Sequence, residues 1–194
     1  MINKKDITGI ILAGGKSSRM GTDKGFLKLN GKLFIEYSIE ALKPLVSQMI
    51  IVSNNSEYDI FNVKRVEDII KDSGPLAGIY SGLKHSETEY NLVLSCDIPL
   101  INTKVLKKLI ETNGDDFDVI QTVSNGRQMP LIALYKKSCE EPFYKFLKNN
   151  ERRMHIAINQ LKVKNIILKS EFEVFTENIN TPKELEKITN GVEY

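Results

Sequence analysis

Hydrophobic and polar positions follow two different patterns along the chain. Short runs of apolar, often β-branched residues are typical of strands buried in a sheet, and they occur at residues 7–12, 49–52, 63–66, 92–94, 119–120, 131–135 and 163–168. Between these runs lie segments with the spacing or the start signals of helices, at residues 33–42, 75–85, 105–110, 138–147 and 181–188. Strands and helices that alternate with short connections indicate βαβ crossovers. We therefore expect an α/β fold with three layers and a mostly parallel sheet.

Length and composition narrow the class of protein. The chain has 194 residues without an internal repeat or a clear linker, so we expect residues 1–194 to form a single domain. Apolar residues make up 41% and charged residues 27%, as in ordinary globular proteins. The net charge of +2 is too balanced for nucleic-acid binding through bulk charge. An anionic ligand would therefore have to be met by cations placed locally.

Cysteine use and hydropathy predict the compartment. Cys96 and Cys139 form neither a CxxC pair nor a metal-binding spacing, which fits a reduced, cytoplasmic compartment. No apolar run approaches the roughly 20 residues that a membrane span needs. The cations near the start of the chain are not followed by the apolar segment of a signal peptide. We expect a soluble cytoplasmic protein with no membrane partner.

Polar residues collect where the predicted strands end. In an open parallel sheet, ligands bind at the carboxyl ends of the strands. The polar groups found there are residues 13–19 after the first strand, Ser53, Asn54 and Asn55 after the second, Glu67 and Asp68 after the third, and Asp97 after the fourth. The sequence therefore predicts one site that combines backbone amides, cations, hydrogen-bonding side chains and acids.

The loop after the first strand has the composition of a phosphate-binding segment. Gly14 and Gly15 allow a sharp turn that brings backbone N–H groups close to an anion. Lys16, Arg19 and Lys24 add charge that suits phosphate oxygens. The loop lacks both the GxGxxG spacing of dinucleotide-binding folds and the GK[ST] of a Walker loop. A plain turn with surface cations is the alternative interpretation.

Two further features each have a functional and a structural interpretation. Asp97 ends an apolar run, and a carboxylate at a sheet edge suits Mg²⁺, which binds one or two carboxylates together with waters and phosphates. It is otherwise a solvated acid or a cap for the helix that follows. Gly74, Gly78 and Gly82 are spaced to lie on one helical face. That face either packs tightly on the sheet or lets a flat base approach the backbone.

Four segments resemble one family. "LAGGKSSRMGTDK" resembles the signature LAGGxSxRMGxDK of the molybdenum cofactor guanylyltransferases, which belong to the larger family of nucleotidyltransferases that activate sugars, sugar alcohols and cofactors. "VEDIIKDSGPLAGI", "LSCDIP" and "ENINTPKEL" are similar to further segments of that group. The matches are colinear over residues 12–185, and the first is specific along its length.

The resemblance implies a Rossmann-like sheet and a defined reaction. In it, the terminal phosphate of molybdopterin, or of its molybdenum-loaded form, attacks the α-phosphorus of GTP with Mg²⁺ as cofactor. Pyrophosphate leaves, and the guanine dinucleotide form of the cofactor results. The same resemblance implies a molybdenum-insertion protein and molybdoenzyme chaperones as protein partners.

The resemblance also implies where the nucleotide binds. The backbone of residues 12–14 is expected at the guanine and the ribose, and Gly15 at the phosphates. The residues expected to bind GTP are Leu12, Ala13, Gly14, Gly15, Lys24, Asp68 and Asp97. The family can carry asparagine at the position of Ser53, so Ser53 and Asn55 receive no firm role.

Catalysis in this family implies charge neutralisation instead of a side-chain nucleophile. Arg19, Lys24 and Asp97 are the expected catalytic residues, with both cations on the phosphates and Asp97 binding Mg²⁺ and nucleotide. Asn178 and Asn180 are expected near the metal or the second substrate. This set agrees with the polar groups found at the strand ends.

Several alternatives stay open at the level of sequence. A sister enzyme would use CTP on the same cofactor, and a more distant relative would use a sugar phosphate or sugar-alcohol phosphate. The LAGG form of the loop favours guanine, by analogy with the family. A protein that binds nucleotide without turnover is a third possibility, against which Lys24 and Asp97 argue. Nucleic-acid binding by Arg152 and Arg153 conflicts with the balanced charge.

Overall fold

The structure of the protein is a computed structural model that describes residues 2–14, 23–112 and 116–191. The strands are β1 (Ile7–Leu12), β2 (Lys28–Leu29), β3 (Lys32–Leu33), β4 (Gln48–Val52), β5 (Lys64–Val66), β6 (Tyr90–Ser95), β7 (Val119–Ser124), β8 (Arg127–Lys136) and β9 (Val163–Ile167). The α-helices are α1 (Phe34–Leu42), α2 (Gly74–His85), α3 (Thr103–Glu111), α4 (Glu140–Lys148), α5 (Met154–Ile158), α6 (Ser170–Glu173) and α7 (Pro182–Gly191). Every strand and helix that the hydrophobic pattern predicts is present.

Seven strands form one sheet in the order β5-β4-β1-β6-β8-β7-β9. All neighbouring pairs in it are parallel except the two that involve β8, which runs antiparallel to β6 and to β7. The prediction of a mostly parallel sheet is therefore confirmed. Within this sheet β1 lies between β4 and β6.

Helices cover both faces of this sheet, as the three-layer prediction requires. Successive residues of a strand point to opposite faces, and the buried Ile10 and Ile11 of β1 belong to two separate apolar clusters. The cluster around Ile11 contains residues of α1 and α3, whereas the cluster around Ile10 contains residues of α2 and α4. The apolar clusters hold β1 rigidly in the middle of the fold.

The register of the central strands brings their carboxyl ends to one level. Leu12 of β1 is paired with Val52 of β4 and with Ser95 of β6, and Val52 is paired with Val66 of β5. The ladder continues one residue further, since the Ala13 amide donates to the Val52 carbonyl at 3.0 Å. The polar residues that follow these strands therefore lie along one edge.

Two tight hairpins were not predicted from the hydrophobic pattern. Asn30–Gly31 joins β2 to β3, and Asn125–Gly126 joins β7 to β8. All four residues have φ between 49° and 80°, which is the conformation that two-residue hairpin turns need and that Asn-Gly supplies. The second turn explains why β8 is antiparallel to its neighbours.

Cys96 and Cys139 are both buried and free. Among the helices in the described ranges, none has the length and apolar character that crossing a bilayer requires.

Replacement of Gly82 by alanine tests the packing of α2 on the sheet. A Cβ at Gly82 would lie 2.5 Å from Ile10 Cγ2, so the helix or the strand must move. We expect Gly82→Ala to lower the free energy of unfolding by about 1–3 kcal/mol, as overpacked cores do, even though alanine favours helices. The measurement is denaturant unfolding.

Gly9→Ala is the matched comparison, because the nearest atoms to a Cβ there would be side-chain atoms at 3.3 Å, further away than Ile10 Cγ2 is from a Cβ at Gly82. The loss at Gly9 should be the smaller of the two. A Gly82→Ala protein as stable as the wild type would contradict the packing described for α2.

Candidate active site

Lys24, Asp97 and Asn180 meet at the carboxyl edge of the sheet. Lys24 Nζ lies 3.0 Å from Asp97 Oδ2 and donates to Asn180 Oδ1 at 2.5 Å. Ser95 Oγ donates to the other carboxylate oxygen, Asp97 Oδ1, at 2.6 Å. The Lys24 and Asp97 side chains are 20% and 14% exposed, so this contact is partly shielded from water but is still open to a ligand. Three residues that the sequence predicts for one site are therefore in contact.

Asn180 reaches this cluster because the chain after β9 returns to the sheet edge. The Ile179 amide donates to the Asp97 carbonyl at 2.8 Å, which ties the two segments together. Glu184 Oε2 then accepts from the amides of Asn180 and Thr181, at 2.7 and 3.0 Å. These contacts, led by the Asn180 amide, lower the pKa of Glu184. The predicted start of α7 at Thr181–Pro182 is confirmed, and its cap holds Asn180 in place.

The donor atoms in the cluster suit a hard cation. Asp97 supplies a carboxylate and Asn180 an amide oxygen, and the Lys24 ammonium already bridges the two. No group of three or more acidic, histidine or cysteine side chains converges anywhere in the described ranges. Mg²⁺ is often held by one or two carboxylates, with substrate phosphates and water completing its six ligands. The residues present therefore fit a magnesium ion that arrives with a phosphate ligand.

A cavity of about 670 Å³ opens beside the end of β1. Four of the predicted nucleotide-binding residues line it, namely Leu12, Ala13, Gly14 and Asp68. Ser95 also lines it, and through its hydrogen bond to Asp97 it connects the cavity to the Lys24 cluster. Cavities of this size accommodate a drug-sized ligand, a class to which a nucleotide belongs.

Asp68 contributes a carboxylate to the wall of this cavity. Its Oδ2 accepts from Asn54 Nδ2 at 3.2 Å, and its own amide donates to Asn54 Oδ1 at 3.0 Å. Its Oδ1 is buried and accepts no hydrogen bond from the described residues. Burial raises the pKa of Asp68 above its ordinary value, although the bond from Asn54 opposes this. A buried carboxylate oxygen without a donor is costly, so this oxygen is available to a ligand that donates a hydrogen bond.

The three glycines of α2 divide between the two predicted interpretations. A Cβ at Gly82 would overlap Ile10, so that end of the helix packs on the sheet. Gly74 and Gly78 line the 670 Å³ cavity instead. A Cβ at Gly78 would lie 3.2 Å from Leu12 Cδ2 and 3.8 Å from Asp68 Oδ1. Glycine at that position therefore keeps the cavity wall open.

A second cavity, of about 520 Å³, lies on the side of Asn180 and includes Asn178. The cations Arg127 of β8 and Lys187 of α7 also line it. Asn180 belongs both to this cavity and to the Lys24 cluster. The cluster therefore connects the two cavities, through Ser95 on one side and through Asn180 on the other.

Several predicted residues have other positions or other roles. Gly15, Lys16 and Arg19 lie outside the described residues. Ser53 Oγ accepts from the Asn55 amide at 3.1 Å, and the Asn55 side chain turns towards Asp23 and Glu57, not into the cavity.

The capping alternative for Asp97 does not hold, because Asn102 Oδ1 accepts from the Val105 amide at 3.1 Å and caps α3. Arg152 donates to the Asp72 carbonyl at 3.0 Å, and Arg153 pairs with Glu151. The basic pair is thus engaged within the protein.

Among the residues of the site, Arg127, Lys187, Asp23 and Tyr58 were not predicted from the sequence. The sequence around Arg127 and Lys187 contains no motif that points to a site, because only the folded chain brings β8 and α7 to the same cavity. Asp23 accepts from the Tyr58 hydroxyl at 2.5 Å and from the Gly25 amide at 3.1 Å. Asp23 directly before a short helical turn is a recognisable capping signal. Nothing in the pattern of the sequence pointed to Tyr58 as its partner.

Known proteins resemble this chain over most of its length. Residues 9–164 match the model of the MobA-like NTP transferase domain. A protein of Flavobacterium johnsoniae named "Probable molybdenum cofactor guanylyltransferase" is 36% identical, over 92% of this chain and 94% of its own length. A protein of Clostridium perfringens with the same name is 38% identical, over 92% and 93%.

Among solved structures, the fold matches the molybdopterin-guanine dinucleotide biosynthesis protein A of Archaeoglobus fulgidus. The TM-score is 0.80 at 24% identity, over 94% of this chain and 97% of that one.

The carboxylate of Asp68 should lower stability at neutral pH. Because its pKa is raised in the folded state, the folded protein holds the proton more tightly than the unfolded chain does. The cost of ionising Asp68 therefore appears as the pH rises above 3.8, the ordinary value for aspartate, and is complete above the folded-state pKa. We expect Asp68→Asn to melt at a higher temperature than the wild type at pH 7, with a smaller difference near pH ~4.

Asp116→Asn, at an exposed position, is the control for loss of one negative charge. An Asp68→Asn protein that melts below the wild type at pH 7 would contradict the predicted destabilising effect of the Asp68 carboxylate.

Proposed function

Because the chain belongs to the MobA-like NTP transferase family, we propose that it transfers GMP from GTP to the terminal phosphate of molybdopterin or of its molybdenum-loaded form. The products are the guanine dinucleotide cofactor and pyrophosphate. One observation carries the proposal: the contact of Lys24 with Asp97 and Asn180, which connects two cavities of suitable size. A transferase needs this arrangement, since donor and acceptor must meet at one reacting centre.

The cavity at residues 12–14 is the proposed GTP site. Gly14 presents a backbone without a side chain, and a Cβ there would have only Ser53 Oγ, at 3.9 Å, as a neighbour. Asp68 adds an acceptor-only carboxylate to the same cavity. Guanine carries two adjacent groups of donors on its pairing edge, at N1 and N2, and a carboxylate accepts from both. Asp68 therefore favours guanine over cytosine, whose pairing edge carries the exocyclic amine as its one donor group.

Lys24 and Asp97 are the proposed catalytic residues at the phosphates. An oxygen of the acceptor phosphate forms the new bond to the α-phosphorus of GTP, and the bond to the bridging oxygen of the β-phosphate breaks. Pyrophosphate leaves with the electron pair of that bond. The Lys24 ammonium offsets the negative charge that grows on the leaving group. Asp97 holds Lys24 in place through its Oδ2, and Ser95 fixes the orientation of the carboxylate.

Asp97 is also the proposed ligand of Mg²⁺, with Asn180 as the nearest further oxygen donor. When bound, Mg²⁺ neutralises charge on the phosphate oxygens and aligns them. Arg19 and Gly15 are proposed to add contacts to the phosphates, by the motif that they share with the family.

The cavity at Asn178 and Asn180 is the proposed site of the acceptor. A phosphate-bearing acceptor is anionic, and Arg127 and Lys187 supply positive charge to this cavity. Asn180 lines it and also contacts Lys24, so an acceptor phosphate bound there lies next to the reacting centre. This geometry supports a separate acceptor site better than nucleotide binding without turnover.

The cellular setting is proposed from the family. A cytoplasmic location fits two buried cysteines that are not paired with each other. A molybdenum-insertion protein and molybdoenzyme chaperones are the partners expected to deliver and receive the cofactor. No nucleic acid or membrane is part of the proposal.

Removal of Lys24 or Asp97 tests the proposed reaction. We expect Lys24→Ala and Asp97→Ala to lower kcat by about 10²–10³, because the first removes positive charge at the phosphates and the second removes the carboxylate that holds Lys24 and would hold Mg²⁺. Lys107→Ala, an exposed surface substitution, should leave kcat unchanged. The measurement is Mg²⁺-dependent release of pyrophosphate with molybdopterin and GTP, CTP or ATP, with the product identified by mass.

Three results are informative. Formation of the GMP adduct from GTP, with no adduct from CTP or ATP, supports the proposal. A CMP adduct would keep the mechanism and overturn the choice of base. No adduct with any nucleotide would overturn the transferase assignment.

A further inference from the structure

Tyr58 is a buried side chain whose hydroxyl is aimed at the active-site edge. It is fully buried, and its hydroxyl donates to Asp23 Oδ1 at 2.5 Å. The Gly25 amide donates to the same oxygen at 3.1 Å, and Asn55 Nδ2 donates to Asp23 Oδ2 at 3.4 Å. A buried tyrosine hydroxyl normally finds such a partner. Here the partner is the residue directly before Lys24.

The position of Tyr58 is fixed on several sides. Its ring packs against Phe26, with centroids 4.6 Å apart, and against Phe61 at 6.2 Å. The approach of the hydroxyl needs glycine at residue 25, because a Cβ there would lie 2.1 Å from Tyr58 Oη. Burial raises the pKa of Tyr58, so the hydroxyl remains a proton donor at neutral pH. These constraints hold the Tyr58 hydroxyl in place as a hydrogen-bond donor to Asp23 Oδ1.

Asp23 connects the Tyr58 hydroxyl to the backbone turn that contains Lys24. It caps the short 3₁₀ helix Lys24–Phe26, and the Phe26 amide donates to its carbonyl at 3.1 Å. The Asp23 carboxylate thus binds the amide on the far side of Lys24, at Gly25. A lysine side chain has four rotatable bonds, and its reach depends on where its Cα is held. With this turn in place, the tip of Lys24 lies between Asp97 and Asn180.

We propose that Tyr58 is a positioning residue for Lys24. Its hydroxyl, acting through Asp23 and the Gly25 amide, fixes the turn from which Lys24 reaches the reacting centre. The kinetic consequence rests on the proposed function, whereas the structural consequence does not. Tyr58 itself lines neither of the two cavities.

Tyr58→Phe removes the hydroxyl and keeps the packed ring. We expect kcat for GMP transfer to fall about tenfold, the loss typical of one hydrogen bond to a charged group, while KM for GTP changes less than about twofold. Tyr135→Phe is the matched control, because Tyr135 is also buried and its hydroxyl donates to the Pro130 carbonyl at 2.8 Å. In a Lys24→Ala background, Tyr58→Phe should have no further effect on kcat.

A second readout does not depend on turnover. The ¹H–¹⁵N resonance of the Lys24 ammonium, assigned by its loss in Lys24→Ala, should be visible in the wild type and in Tyr135→Phe. It should broaden or disappear in Tyr58→Phe. A wild type without GMP transfer overturns the proposed function, and the resonance then decides the positioning role alone.

The proposal is overturned if Tyr58→Phe retains the ammonium resonance. It is equally overturned if Tyr58→Phe lowers kcat by the same factor in the wild type and in the Lys24→Ala background.

Discussion

The contact of Lys24 with Asp97 and Asn180 is the interaction on which the site depends. It joins three segments that are far apart in the chain: the turn after the first loop, the end of β6 and the start of α7. An ion pair at this depth has lost much of its water, so its partners must be held accurately for the contact to be favourable. Each partner is held by a neighbour, namely Asp23, Ser95 and Glu184.

The fold supplies this accuracy through the register of its central strands. Parallel pairing of β4, β1 and β6 ends at one level, so the residues after each strand share one edge. Two apolar clusters hold β1 from both faces. The same edge includes a feature that lowers stability, because one buried oxygen of Asp68 accepts no hydrogen bond from any described residue. The packed central strands and the unsatisfied Asp68 oxygen beyond their ends thus belong to one arrangement.

Much of this organisation was predictable from the sequence, and the limits have physical causes. The strand ends predicted Asp68, Asp97 and the glycine loop, because strand period and parallel pairing fix where those residues lie. The reversed β8 was missed although Asn125–Gly126 is a hairpin signal. Asn180 was predicted for the site by resemblance only, because its approach to Lys24 depends on the chain after β9, which returns to the sheet edge. Tyr58 was missed because a contact with Asp23 across 35 residues leaves no periodic pattern.

We propose that one edge of the sheet holds GTP with its phosphates at Lys24 and Asp97. The most direct measurement is a crystal structure of the protein with Mg²⁺ and a GTP analogue that resists transfer. We expect the guanine in the cavity beside Asp68 and Gly14, and the phosphates at Lys24 and Asp97. An analogue bound elsewhere, or with its phosphates away from Lys24, would contradict it.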